Sequence, residues 1–78
     1  MIKTFDKKLG NTLETIRTKN NLSQQDVADR LGLSRSAISC YELGKRTIDV
    51  ETLFKLCDIY NVDVNEILKD VRKYVYKK

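Results

Sequence analysis

A chain of 78 residues, with 15 Lys and Arg against 11 Asp and Glu, 41% hydrophobic and 33% charged, is long enough for one small domain, 1–78, and too short for two. So short a chain buries only about 60% of its unfolded surface, so dense helix packing, a disulfide or metal staple, or a partner must add stability. With no His and only Cys40 and Cys57, seventeen residues apart, neither a metal site, nor a disulfide framework, nor a cofactor is expected.

There is no Pro, no repeat and no Ser-rich linker, so capping residues, Gly and Asn divide the chain, and they divide it into five helices. The first is predicted over Phe5 to Lys19, with Thr4 as N-cap and Phe5, Leu9, Leu13 and Ile16 as one buried stripe. Asn20 and Asn21 stop it, because Asn tolerates the left-handed conformation of a helix end. Ser23 and Asp26, three apart before an apolar-periodic run, open a second helix that reaches Leu31 and is ended by Gly32. Ser34 caps a third, Arg35 to Leu43, closed by Gly44. Asp49 caps a fourth, carrying Val50, Leu53, Leu56, Cys57 and Tyr60 and ended by Asn61. Asp63 and Glu66 form an acidic capping box for the fifth, with Val62 and Ile67 as its hydrophobic staple and Val64, Ile67, Leu68, Val71 and Val75 as its stripe. Its far end, KYVYKK, adds Tyr74 and Tyr76 and is expected to fray.

Several function classes are excluded or favoured at this point. No apolar run nears the roughly 20 residues that span a bilayer, and MIKTFDKKLG lacks a signal peptide's apolar stretch, so a cytoplasmic protein with reduced thiols and no membrane partner is expected. Without His, a Gly-rich phosphate loop or a GxSxG elbow, catalysis has no constellation to work with, so no enzyme is expected. Residues 1–46 carry nine Lys/Arg against five Asp/Glu, while residues 47–78 carry six of each, so the excess positive charge lies in the first half. A one-sided field of this kind suits a polyanion such as nucleic acid, although a solvated basic surface gives the same count.

The second and third helices hold the most informative spacing. Between Gln24 and Leu43 the apolar positions are Val27, Leu31, Leu33, Ile38 and Tyr41, with Ala28 where two helices approach closely and Gly32 where the chain turns sharply. A steep helical turn needs a residue free to take positive φ, and a tight crossing beside it needs a side chain no larger than methyl, so 24–43 reads as a helix-turn-helix.

Together with Gln24, the SRSAIS start of helix three, the YELGKR exit, LFKLCDIYNV and the terminal NEIL, this pattern resembles the Cro/phage-repressor family of helix-turn-helix DNA-binding domains over nearly the whole chain. The resemblance implies an all-α, five-helix, lambda repressor-like domain. It also implies an ion pair between Arg17, late in helix one, and Glu42, at the end of the recognition helix. A recognition helix turns its N-terminal residues toward base edges, which assigns Arg35, Ser36, Ser39 and Cys40 to base reading, opposite buried Ala37, Ile38 and Tyr41. Arg35 is the strongest of these, since its guanidinium can fork onto O6 and N7 of guanine. Ser36 and Ser39 are either weak readers or plain surface serines. Cys40 either touches a thymine methyl or offers a thiol whose oxidation blocks binding. Gln24 and Ser34, at helix N-termini, and Lys45 and Arg46, past helix three, are expected on phosphates. Cys57, Tyr41 and Tyr60 read as core.

The function implied is a bacterial or phage transcriptional regulator, a homodimer on a palindromic double-stranded operator that occludes or recruits RNA polymerase. Size also resembles the controller proteins of restriction–modification systems. Ile67 and Val71 are expected on the core, leaving Val64, Leu68, Tyr74 and Val75 for the dimer interface. The competing reading is a protein-interaction module, an antitoxin or adaptor that keeps the fold.

Overall fold

The structure, a computed structural model, describes residues 4–75. Five α-helices follow in order, α1 (Thr4–Lys19), α2 (Gln24–Leu31), α3 (Arg35–Leu43), α4 (Val50–Tyr60) and α5 (Val64–Val75), with no strand among the described residues. Tyr76, expected to extend the fifth helix, lies outside them.

Most helix ends have a local chemical cause. The Ser23 hydroxyl accepts the Asp26 N–H at 2.9 Å and the Asp26 carboxylate accepts the Ser23 N–H at 2.8 Å, a complete capping box that also holds the Asp26 carboxyl below its usual range. Ser34 accepts from the Ala37 N–H, and Asp49 from both the N–H and the hydroxyl of Thr52, which lowers the Asp49 carboxyl in the same way. The stops are equally local. Asn21, Gly32, Gly44 and Asn61 all have positive φ, and the next residue's N–H reaches back to a carbonyl of the last turn: Leu22 to Arg17, Leu33 to Ala28, Lys45 to Cys40 and Val62 to Cys57. These are Schellman endings, which pair carbonyls that would otherwise be orphaned.

Two starts differ from the sequence expectation. Thr4 is already helical, one residue before the predicted start, so it belongs to the first turn. At α5 the Asp63 carboxylate accepts from the Asn65 N–H at 2.9 Å, with no return bond from the Glu66 side chain among the described residues. A carboxylate that reaches the second helical N–H satisfies one orphan donor as well as the third would.

α1 lies against α5 and α3, α2 against α3, and α4 reaches α2 and α5. Their apolar faces close one core around Leu13, Val27, Ala28, Ile38, Leu56, Tyr60, Ile67 and Val71. Ile67 and Val71 are buried as expected, but Val64 and Val75, expected outside the core, pack partly against it. Two residues assigned to the apolar pattern do not enter it. Leu33 follows the left-handed Gly32 on the outside of the turn and is exposed, and Val50, first residue of α4, is 69% exposed. Gly10, which has no obvious reason to interrupt α1, marks where α1 crosses the end of α3: a Cβ there would overlap the carbonyl oxygens of Tyr41 and Glu42. No described helix is long and apolar enough to cross a membrane.

Candidate nucleic-acid interface

Capped by Ser34 and stopped at Gly44, α3 has nine residues and two faces. Ala37, Ile38, Tyr41 and Glu42 are buried, whereas Arg35 and Ser36 are exposed and Ser39 and Cys40 half-buried. The four residues expected to read bases therefore share the outer face. Leu43 also stands on that face, 51% exposed, four residues beyond Ser39. The sequence reading passed over it, though extending the i, i+4 spacing from Arg35 through Ser39 would have found it.

The inner edge of α3 is held by a chain of charged and polar groups. Arg17 Nε donates to Glu42 Oε2 at 2.6 Å and Nη2 to Oε1 at 3.1 Å, a two-pronged pair buried to 8% and 6% exposure, while Nη1 donates to the Leu22 carbonyl at 2.8 Å. The hydrogen bond to Glu42 raises the Arg17 guanidinium above its ordinary range, opposed by burial. Gln24 extends the chain outward: its Nε2 donates to Glu42 Oε1 at 2.9 Å, and its Oε1 accepts from Arg35 Nη1 at 3.3 Å. The buried pair thus reaches Arg35 through one amide. This connection was not anticipated, because an amide pairs with whatever donor and acceptor the fold brings near it. Tyr60, buried close by, has its phenol pushed up to about 12 by burial and then by the Glu42 charge.

The residues expected on phosphates occupy the margins. Ser34 is exposed at the start of α3, and with its oxygen accepting from Ala37 its O–H remains able to donate outward. Gln24 is half-buried with its side chain committed to Glu42 and Arg35, so the phosphate contact expected of it would fall to the N–H groups of the first α2 turn. Lys45 and Arg46 are exposed just past Gly44, and the Arg46 guanidinium carbon lies 5.4 Å from the Tyr41 ring centroid, a cation–π contact that limits where it can swing. That loop is fixed to α1, since a Cβ on Gly44 would meet the Lys7 backbone and the Thr47 hydroxyl donates to Asp6 at 2.9 Å. Both cysteines are free: Cys40 is half-buried on α3, and Cys57 lies in the core, where burial pushes its thiol up.

Of the α5 residues expected at a dimer interface, Leu68 is 36% and Tyr74 61% exposed, while Val64 and Val75 are tied partly to the core. The Lys8 ammonium sits 4.9 Å from the Tyr74 ring centroid.

Two helices joined by a tight three-residue turn, the second presenting a polar face with basic residues at both ends, define a helix-turn-helix. The chain belongs to the helix-turn-helix family, which matches residues 13–67, in its Cro/phage-repressor form. It is 40% identical over 57 residues to the HTH-type transcriptional regulator YqaE of Bacillus subtilis, covering 73% of this chain and 49% of that protein. It is 42% identical over 60 residues to the SPbeta prophage-derived HTH-type transcriptional regulator YonR of the same organism, covering 77% and 56%. Among solved structures, the restriction-modification controller protein C.AhdI from Aeromonas hydrophila superposes with a TM-score of 0.73 at 31% identity, covering 78% of this chain and 92% of that one. The chain spans about half the length of the curated relatives it matches.

Proposed function

We propose that this chain is the DNA-binding part of a transcriptional regulator that sets α3 into the major groove of a palindromic operator as a homodimer and there occludes or recruits RNA polymerase. The observation that carries the reading is the outer face of α3, where Arg35, Ser36, Ser39 and Cys40 stand together between the basic pair Lys45 and Arg46 and the helix N-termini at Gln24 and Ser34. A major groove admits one α-helix, and base edges are read by side chains on its exposed face while phosphates are met at its margins. Relatives described as transcriptional regulators support the same reading. A homodimer follows from the shortness of a single reading helix and the two-fold symmetry of operators.

Duplexes selected from a random pool give the test. Arg35→Ala should weaken the selected site by about 1–3 kcal/mol and leave random DNA unchanged, because it removes a contact to a base edge. Lys45→Ala and Arg46→Ala should weaken both alike, because phosphates carry no sequence. Equal losses on both duplexes for Arg35→Ala would move base reading to other residues, and failure to enrich any duplex would remove DNA binding altogether.

A further inference from the structure

Tyr41 belongs to the core cluster at 6% exposure, yet the guanidinium carbon of exposed Arg46 lies over its ring, 5.4 Å from the centroid. The backbone that carries Arg46 is held as well. The Gly44 N–H donates to the Tyr41 carbonyl at 3.2 Å and the Lys45 N–H to the Cys40 carbonyl at 3.0 Å, while Gly44 abuts the Lys7 backbone and Thr47 bonds Asp6. Arg46 is therefore fixed at both ends, by its backbone and by its charged head. Lys45, its exposed neighbour, is fixed by its backbone alone, with no ion pair or ring contact among the described residues.

A guanidinium is planar: an aromatic ring takes one of its faces, and its N–H donors point outward in its own plane. A stacked arginine can thus donate to a phosphate without leaving the ring. An exposed side chain also loses freedom when it binds, and one held beforehand has less to lose. We propose that Tyr41 is a positioning residue, whose ring holds the Arg46 guanidinium edge-outward for a phosphate of the DNA backbone. Tyr41 lies on the buried side of α3, so the same residue anchors the reading helix in the core and aims a charge at its margin. The two basic residues past Gly44 are then unequal, Arg46 preset and Lys45 free to search. The inference rests on the reading of Arg46 as a phosphate contact and adds what aims it.

Duplex affinity in a double-mutant cycle tests it. Tyr41→Leu should weaken selected and random duplexes alike by about threefold, with the salt slope unchanged because the Arg46 charge remains. Tyr41→Phe keeps the ring and should restore the affinity. In an Arg46→Ala background Tyr41→Leu should cost nothing further, whereas in a Lys45→Ala background it should cost the same factor of about three. A merely structural role for Tyr41 would lower both backgrounds equally. A second measurement needs no variant and stands even if Tyr41→Leu fails to fold: in the wild-type chain the ring current should shift the Arg46 side-chain protons upfield, both free and on the duplex. Additive losses of Tyr41→Leu and Arg46→Ala, or Arg46 protons at unshifted positions in the complex, overturn the proposal. Duplex affinity and salt slope unmoved by Arg46→Ala, with its protons still upfield in the wild type, remove the phosphate contact and the proposal with it, a result distinct from either.

Discussion

Arg17 and Glu42 form a buried ion pair that holds the inner edge of α3. Two charges at 8% and 6% exposure have lost most of their hydration, and the two-pronged geometry together with the Leu22 carbonyl and the Gln24 amide compensates them. Removing one partner strands the other: Glu42→Ala or Arg17→Ala should cost about 3–5 kcal/mol, and a double-mutant cycle in urea unfolding should show strong coupling. Additive losses would mean that the pair is not a unit. The pairing of 17 with 42 was legible only through the family pattern, since twenty-five residues separate them, and the further link to Arg35 through Gln24 was not legible at all. Tyr60 gives this region a pH signature. Its phenol is raised from 10.0 to about 12 in the folded chain, so the stabilisation is fully present below about pH 10 and is lost as pH rises through the folded value. The urea midpoint should fall between about pH 10 and 12, and Tyr60→Phe should flatten that fall.

Among the helices, most of what acts locally was legible, the starts at Thr4 and Asp63 excepted. Ser23, Ser34 and Asp49 cap, and Asn21, Gly32, Gly44 and Asn61 stop, because each acts on backbone groups within a few residues of itself. What the sequence hid depends on a second helix. Gly10 is the clearest case: inside a helix glycine costs about 1 kcal/mol relative to alanine, and only the crossing with α3 explains it. Gly10→Ala should therefore destabilise by about 1–3 kcal/mol despite its better helix propensity, because the methyl overlaps the Tyr41 and Glu42 carbonyls. Denaturant titration checks the sign, and a gain in stability would mean that α1 can draw back from α3. Val50 was misread for a related reason, since periodicity gives the angle of a side chain but not whether another element stands opposite it.

At the scale of the whole molecule the formal charge is +4, with the excess in the half that carries α3, and nucleic-acid affinity should report it. Log affinity should fall with log salt by roughly 0.9 for each phosphate neutralised, and Lys45→Ala should reduce that slope by about one. A slope near zero would mean that the basic margin does not meet phosphates. The nine residues of α3 also limit how much the domain can know. At about 1.5 Å per residue the helix is roughly 13 Å long, and at about 3.4 Å per base pair it would lie along about four pairs in the proposed groove. A word of four letters recurs by chance about once in 250 positions, whereas the eight letters that the proposed pair of helices would read recur about once in 65,000. One copy can recognise a kind of place, and addressing a single locus takes two.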